Sequence, residues 1–457
     1  MSFRIKQIHI SNSTLSTEDI DLIDTDEDVR NNHFTVLIGN NGTGKSRILA
    51  SIARRYQKNK DGLNFDFSAS NNPKRVFAIT NSITDKFPLD DTFRWKRSNV
   101  NSYSKLKYVY LGARNKINSF SPRTLISKAI DILLESFSTK KGAREIRYIF
   151  DYLSFEPIIK ISYSFSFKLK VKVQINTKQF LSIIEENSSK NNFYSEFNSS
   201  FRRNYEEFIP ELIDFINQEN LNNEDNDLVI NFSKSNISRI SGDRKIYTDT
   251  IKHYRYLDIL RKLNLVRSYD IKIYKKGGKE FNFNNASSGE SAILSSLIGF
   301  VPLIKNDSLV LIDEPELSLH PSWQYRYIEL LQKLTKHVNG CHIIIATHSH
   351  YIVSDLPIEN STVVILNNDK GKITGKTLQG TTYGQAAEDV ILNIFGLPTT
   401  RNYYLSQLLT DALRLIGLKE EKNEEFVKIK KQILKLRSNM RESDPLKKVV
   451  DLIIEKS

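Results

Sequence analysis

The residues with the clearest chemistry form one glycine-rich turn near the N-terminus. It reads G-x-x-x-x-G-K-S, with Gly39, Gly44, Lys45 and Ser46 at the fixed positions. Glycines allow successive backbone N–H groups to point inward, and the start of a following helix adds a positive dipole end, so the turn can hold phosphates. The lysine reaches the β- and γ-phosphates and the serine hydroxyl holds Mg²⁺. The turn therefore predicts an ATP and Mg²⁺ site built from Gly39, Asn40, Asn41, Gly42, Thr43, Gly44, Lys45, Ser46 and Arg47.

Three later motifs carry groups that could complete such a site. Asp313 and Glu314 follow an apolar run, His348 follows another, and the sequence S-S-G-E occupies residues 287–290. Ligands of parallel sheets bind at the carboxyl ends of strands, where these groups would lie. We expect Asp313 to bind Mg²⁺, Glu314 to polarise the attacking water and His348, together with Lys45, to contact the γ-phosphate. Ser287, Ser288, Gly289 and Glu290 begin a predicted helix, whose N-terminus suits a phosphate.

Each motif also has a purely structural interpretation. An acidic pair after a strand is often a helix cap, a lone histidine is more often structural, and S-S-G-E fits an N-cap with a capping box. What favours the functional interpretation is their joint presence in one order along one chain.

The elements that must position these groups predict an α/β fold. Short apolar runs at Thr35–Ile38, Ser308–Asp313 and His342–Thr347 are typical of buried strands. An amphipathic helix follows the first of them, and Pro321 begins a helix predicted to reach about Val338. We expect a mixed or parallel sheet flanked by helices.

Chain length and changes of composition divide the 457 residues into four predicted segments. Residues 1–120 form a first ATPase lobe and 276–395 a second. Between them, residues 121–275 form a mainly helical insertion with one basic strand, and residues 396–457 form C-terminal helices.

The chain is basic, with a formal charge of +13. Such a charge favours a polyanionic partner such as DNA, although a lysine-rich solvated surface explains it equally well. Lys168, Lys170 and Lys172 alternate with apolar residues and would share one strand face, as a solvated sheet face or a nucleic-acid contact.

The single cysteine, Cys341, excludes an intramolecular disulfide and a cysteine-rich zinc site. The N-terminus does not have the pattern of a signal peptide, and the longest apolar run is too short to span a membrane. We therefore expect a cytoplasmic protein.

In its motif order the sequence resembles the ATP-binding-cassette ATPases of the SMC, Rad50 and RecF type. GNNGTGKS is similar to their Walker A motif, ASSGE to their signature, LVLIDEPE to Walker B and THS to their switch histidine. The resemblance implies a head-to-tail dimer in which Ser287 and Gly289 contact the nucleotide of the other subunit and Ser318 lies at the dimer contact. Ser288 stands where the family has a glycine. The family also has a glutamine in the lid after the first lobe; none can be assigned here, and Asn81 or Ser82 could substitute for it. Both departures leave the hydrolysis rate open.

Several further segments resemble the PtuA family, the ATPase subunits of Septu anti-phage systems, and the related retron ATPases. They are VFAITNSITDKF, YVYLGARN, SSGES, DEPELSLHP and TTYGQAAEDVILNIFGLPTTRN. This resemblance implies a separate HNH nuclease subunit (PtuB-like) under the control of the ATPase, and we find no nuclease motif in this sequence. Two alternatives stay open: a DNA-repair clamp similar to RecF, and an assembly protein that ATP holds together with little turnover.

Overall fold

The structure is a computed structural model, and it divides the chain into two compact units, Met1–Thr381 and Thr382–Ser457. The four segments expected from the sequence remain a prediction. The residues that the structure describes are 2–11, 15–24, 30–57, 64–69, 72–82, 84–90, 106–112, 114, 125–126, 128–130, 132–133, 143–165, 174–189, 208–218, 226–233, 236–241, 244–246, 256–257, 259–260, 263, 265–378, 403–418, 423–437 and 445–455.

All the described strands belong to the first unit. In chain order they are β1 (Ile5–Ser11), β2 (Ser16–Thr17), β3 (Ile20–Asp21), β4 (His33–Ile38), β5 (Asn64–Ala69), β6 (Arg75–Thr80), β7 (Tyr108–Leu111), β8 (Phe155–Phe165), β9 (Asn226–Asn231), β10 (Asn236–Ser241), β11 (Arg244–Ile246), β12 (Val266–Lys275), β13 (Glu280–Asn282), β14 (Ser308–Asp313), β15 (His342–Ala346), β16 (Ser361–Asp369) and β17 (Lys372–Thr377).

Described helices of four or more residues occur in both units. They are α1 (Lys45–Gln57), α2 (Ala143–Tyr152), α3 (Thr177–Ser189), α4 (Ile209–Gln218), α5 (Ser288–Phe300), α6 (Pro321–Tyr325), α7 (Tyr327–Thr335), α8 (His350–Ser354), α9 (Tyr403–Gly417), α10 (Glu424–Arg437) and α11 (Pro445–Glu455).

An eleven-stranded sheet forms the centre of the first unit, and its order is β3-β1-β2-β17-β16-β4-β15-β14-β6-β7, with β5 beside β1. From β16 to β7 all neighbours are parallel. Strands β4, β6, β14 and β15 are buried along their whole length, as their unbroken apolar runs predict. The mixed sheet with flanking helices confirms the predicted fold class.

The helix predicted to run from Pro321 to about Val338 is two helices in the structure. Arg326 ends α6 and precedes α7 with φ −103° and ψ 11°, which is not helical backbone. Pro321 occupies the first turn of α6 as expected. The buried apolar face of α7 is formed by Tyr327, Leu330, Leu331 and Leu334.

A second, six-stranded antiparallel sheet is formed by strands between Phe155 and Asn282, in the order β11-β10-β9-β8-β12-β13. Strands and helices share the described part of residues 121–275, and the mainly helical character expected of that segment stays a prediction. Lys168, Lys170 and Lys172 lie outside the described residues, so their shared face stays a prediction.

The second unit contains α9, α10 and α11, whose apolar faces form a core of their own that includes Ala412, Phe426, Ile433 and Val450. The predicted helical tail is confirmed in this range. None of the helices in the described parts of the chain has the length and apolar character needed to cross a membrane.

Candidate nucleotide site

The glycine-rich turn joins β4 to α1, as the sequence predicts. Two of its glycines are required by close approach. A Cβ on Gly39 would lie 2.5 Å from the Leu366 carbonyl oxygen, and one on Gly44 would lie 2.2 Å from Cδ1 of Ile373. Gly44 also has φ +85°, which side chains rarely adopt. The loop thus keeps a tight path against β16 and β17 that only glycine permits.

The other predicted residues of the turn divide into buried and accessible ones. Thr43 is buried, and its hydroxyl donates a 2.8 Å hydrogen bond to the Asn40 carbonyl oxygen. Asn41 and Arg47 are exposed, as a ligand site at a helix start requires.

Lys45 is buried at the first position of α1, where its ammonium group donates to the Gly39 and Asn40 carbonyl oxygens at 2.8 and 3.2 Å. Burial lowers the pKa of Lys45, while the charges of Glu314, Glu316 and Asp313 act in the opposite direction. The cation therefore lies inside the turn and within electrostatic reach of three carboxylates.

The residue that ends the glycine-rich turn is in direct contact with the acidic motif. The Ser46 hydroxyl donates a 2.9 Å hydrogen bond to Oδ1 of Asp313, although 267 residues separate the two. This meeting follows from the sheet order, since β4 and β14 are both parallel neighbours of β15 and all three end at the same edge. The two predicted Mg²⁺ ligands are thus brought side by side.

Asp313 is almost completely buried, with 1% of its surface exposed. Burial and the nearby charges of Glu314, Asp85 and Glu316 raise the pKa of Asp313 to about 7, against the opposing hydrogen bond from Ser46. Like charges are costly in a low-dielectric site unless a cation joins them. The arrangement favours a bound cation at this carboxylate.

Glu314 follows Asp313 in the left-handed region of backbone space, with φ +48°. Its N–H donates to the Ala346 carbonyl oxygen at 2.9 Å, so the end of β15 holds it in that conformation. Left-handed backbone in a residue with a β-carbon is a strained state that recurs at functional sites. The turn leaves Glu314 half-buried beside Asp313, in reach of the Lys45 charge.

Glu316 is a member of the site that sequence reasoning missed. Its carboxylate accepts the Thr347 hydroxyl at 2.8 Å and the His348 backbone N–H at 2.5 Å. Burial raises the pKa of Glu316. The signal was available as the third acid of the D-E-P-E motif. In the structure it ties the Walker B turn to the T-H-S turn.

His348 has an exposed side chain, but its pKa is lowered by partial desolvation of the imidazole and by the positive charge of Lys45. The imidazole is therefore within electrostatic reach of Lys45 and is neutral at physiological pH, so it can donate one hydrogen bond.

Asn81 is one of the two proposed substitutes for the lid glutamine, and it donates to the Pro315 carbonyl oxygen at 3.2 Å. Ser82 instead donates its backbone N–H to the Thr80 hydroxyl oxygen.

The S-S-G-E turn begins α5 with the capping box that the structural interpretation foresees. Ser287 N–H donates to the Glu290 carboxylate at 2.7 Å, and Glu290 N–H donates to the Ser287 hydroxyl at 3.2 Å. Ser287 and Ser288 are nevertheless exposed. A Cβ on Gly289 would lie 2.4 Å from the Ser318 carbonyl oxygen, so the turn packs on the segment after D-E-P-E.

The residues present fit a nucleotide with Mg²⁺. The glycine turn leaves a path that a side chain would fill, and Ser46 with Asp313 offers two oxygen ligands. Among the described residues there is no group of three or more His, Cys, Asp or Glu that could hold a metal ion alone. This agrees with Mg²⁺ sites that take one or two protein ligands and complete their shell with substrate phosphates and water.

Three known proteins show the range of similarity. The chain is 28% identical over 201 residues to Septu protein PtuA of Bacillus thuringiensis, covering 40% of this chain and 48% of PtuA. It is 22% identical to the Retron Ec83 probable ATPase of Escherichia coli, covering 71% and 66%. The chain thus spans about half the length of PtuA. A solved SMC head domain from Pyrococcus furiosus, bound to the C-terminal domain of ScpA, is 10% identical over 82% of this chain and 96% of that chain, with a TM-score of 0.32.

Residues 34–354 match a family model described as "AAA domain, putative AbiEii toxin, Type IV TA system". The match begins in β4 and ends with α8, so it contains the glycine turn, the acidic motif and the histidine turn described above. The chain is a member of this AAA-domain ATPase family and a homologue of the Septu and retron ATPases.

Proposed function

We propose that this chain binds ATP with Mg²⁺ at the β4–α1 turn and hydrolyses it. The observation that carries the proposal is the 2.9 Å hydrogen bond between Ser46 and Asp313, which unites the phosphate turn with the buried carboxylate. Mg²⁺ would be held by these two side chains, and when bound it supplies charge neutralisation at the phosphates. The family to which the chain belongs supports the same chemistry.

The remaining residues have separate roles in this proposal. Lys45 supplies a positive charge to the phosphates. To reach them, its ammonium group leaves the Gly39 and Asn40 carbonyl oxygens that it contacts in the structure. Glu314 accepts a proton from the attacking water, or orients it, from its strained position at the end of β14. Glu316 positions His348 through the backbone N–H of that residue, and the neutral imidazole donates toward the γ-phosphate.

Substitution of Ser46 tests the proposal directly. Ser46→Ala is expected to weaken ATP binding in Mg²⁺ while leaving binding in EDTA nearly unchanged, because only the metal-dependent part uses the hydroxyl. A matched control is Ser361→Ala, whose hydroxyl bonds the Pro357 carbonyl oxygen at the other end of the sheet. Equal effects of Mg²⁺ in wild type and Ser46→Ala would contradict the assignment.

We further propose that the ATPase works as a head-to-tail dimer that controls an HNH nuclease subunit of an anti-phage defence complex. The support is the resemblance to the PtuA family and the exposure of Ser287 and Ser288, which leaves that turn available to the nucleotide of a second subunit. The packing of Gly289 on Ser318 would then join the two expected dimer contacts within each chain.

The partner is tested by expressing the tagged chain with its native flanking DNA and identifying what co-purifies. A stoichiometric protein with an HNH pattern is the expected result. Recovery of the ATPase alone, or with DNA only, would instead favour a repair clamp similar to RecF.

A further inference from the structure

A cationic cleft lies along the exposed side of α1, beyond the phosphate turn. It has a volume of about 430 Å³ and is lined by Leu15, Arg47, Ser51, Arg54 and Lys86. Three of these five side chains are cations and none is acidic. Arg47, Ser51 and Arg54 follow one another at helical spacings of four and three residues, so they form one stripe on α1.

The wall opposite α1 is built from residues 84–90, which have no regular secondary structure and are held by side chains. Four successive carbonyl oxygens, from Lys86 to Leu89, each accept a hydrogen bond from a side chain. The donors are Arg54, Arg114, Tyr108 and Gln57. Two donors come from α1 and the others from β7 and the residues after it. The backbone of this wall is therefore held in place from both sides.

The carboxylate that precedes Lys86 in the sequence is paired elsewhere. Asp85 precedes Lys86 but is buried, and it accepts the Tyr110 hydroxyl at 2.8 Å and lies 3.4 Å from the Arg114 guanidinium. Lys86 itself is exposed, as are Arg47 and Arg54. The alternation of buried and exposed residues along the segment thus separates the paired acid from the cation that faces the cleft.

The far end of the cleft is distinct from the phosphate turn. Arg54 lies eight residues after Ser46 on the same helix, about 12 Å along its axis. Its guanidinium donates to the Lys86 carbonyl oxygen at 3.0 Å, which fixes it beside the opposite wall. A phosphate bound between Arg54 and Lys86 would therefore be a different group from the triphosphate at Lys45.

We propose that this cleft binds a second phosphate ester, in the form of a nucleotide unit from a nucleic-acid strand or of a free nucleotide. Guanidinium groups match phosphate oxygens in pairs, and Arg54 with Lys86 brings two cations to the far end of the cleft. The cleft is a site additional to the ATPase function proposed above and does not depend on it.

The nucleic-acid source is tested with a short fluorescein-labelled DNA single strand and fluorescence anisotropy. Arg54→Glu should weaken binding about tenfold and lower the slope of log affinity against log salt by about 0.7 for each phosphate that the protein no longer neutralises. The matched control is Arg55→Glu, the next residue on α1, which is exposed but does not line the cleft. Lys86→Glu serves as a second variant on the opposite wall, and it should behave like Arg54→Glu.

The free-nucleotide source is tested by equilibrium dialysis with labelled ATP. Two molecules per wild-type chain and one per Arg54→Glu chain would support a second nucleotide site, even where the DNA strand does not bind. Equal behaviour of Arg54→Glu and Arg55→Glu with both probes would overturn the proposal. It would also be overturned if Arg54→Glu removed the only bound ATP, since the cleft would then hold the nucleoside end of that ATP. Loss of binding in Lys45→Ala alone concerns the phosphate turn and leaves this result separate.

Discussion

The two ends of the same parallel strands bury polar groups in opposite ways. At the amino ends of β4 and β15, His342 accepts the Ile5 N–H at Nδ1, 3.2 Å away, and its Nε2 lies 2.8 Å from the Thr35 hydroxyl. That hydroxyl donates onward to the Leu22 carbonyl oxygen at 2.7 Å, so the bond pattern requires a neutral imidazole with its proton on Nε2. His33 lies 3.1 Å from the Thr362 hydroxyl.

The carboxyl ends hold Asp313, Glu314 and Glu316 around one lysine. Here burial, together with the charges of neighbouring carboxylates, raises the pKa of Asp313 and of Glu316, whereas burial and the Arg4 charge lower the pKa of His33 to about 3. Neutral, satisfied groups stabilise a core, but neighbouring like charges are tolerated where a ligand completes them. Burial of polar groups alone therefore does not mark a functional site, whereas incomplete compensation of buried charges does. Changes at the carboxyl ends should therefore alter function, and changes at the amino ends should alter stability.

The sharpest separation is expected from Glu314→Gln. Loss of the group that accepts the proton should lower the rate of ATP hydrolysis about a thousandfold, with ATP affinity retained. Phosphate release and ATP binding are measured together, and light scattering tests whether the proposed dimer persists longer with ATP in this variant. If turnover equals that of wild type, Glu314 does not act on the water.

Lys45→Ala should weaken ATP binding by about a hundredfold, because the phosphates lose a charged hydrogen-bond donor and face the carboxylates alone. The measurement is equilibrium binding in Mg²⁺. Arg55→Ala removes a positive charge from the same helix outside the turn and is the control. Similar affinities in the two variants would remove the turn from the phosphate site.

The pKa of Asp313 predicts a pH dependence of metal binding. The pKa of this carboxyl group is raised to about 7, so the group is mostly protonated at pH 6 and mostly charged at pH 8. Mg²⁺ binds the charged form, and the Mg²⁺ affinity of the ATP-bound protein should rise by nearly tenfold per pH unit below this pKa and level off above it. Asp313→Asn should bind Mg²⁺ weakly and without this dependence. A flat wild-type profile would contradict the burial effect.

The smallest effect is expected at the histidine end. The pKa of His33 falls from 6.5 unfolded to about 3 folded, so the unfolded chain binds the proton first as pH decreases. Stability is fully present above pH 6.5 and is lost toward pH 3. This histidine alone should lower the free energy of unfolding by about 1 kcal/mol between pH 6.5 and 5.5. Chemical denaturation of wild type and His33→Gln at both values checks it, and the variant should lose less. ATP affinity should not change in the variant.

Much of the sheet could be predicted because its central strands are buried on both faces. The runs at Ser308–Asp313 and His342–Thr347 match β14 and β15 within one residue. The short strands β9 and β10 of the second sheet are not evident in the sequence because they are rich in Asn and Ser, and they are organised by pairing with each other and by the pairing of β9 with β8. Local pattern carries no information about such pairing.

The site shows the same limit. The glycine turn and the acids after β14 can be found by spacing, and the structure places Ser46 against Asp313. Their roles in binding and catalysis stay predictions. Spacing could not predict the left-handed backbone at Glu314 or the hydrogen bond that the His348 N–H donates to Glu316. Both depend on the position of the end of β15.

The strand that leads into the phosphate turn has a consequence for how the protein is made. The two neighbours of β4 are β15 and β16, which are synthesised about 300 residues later. At about 5–20 residues per second, the ribosome leaves this apolar segment without its neighbours for about 15–60 s. Until its second half emerges, the nascent chain thus exposes an unpaired apolar segment, and Asp313 has not yet joined Ser46. Its yield in the cell should depend on chaperones that shield exposed strands more than on the temperature at which the finished protein unfolds.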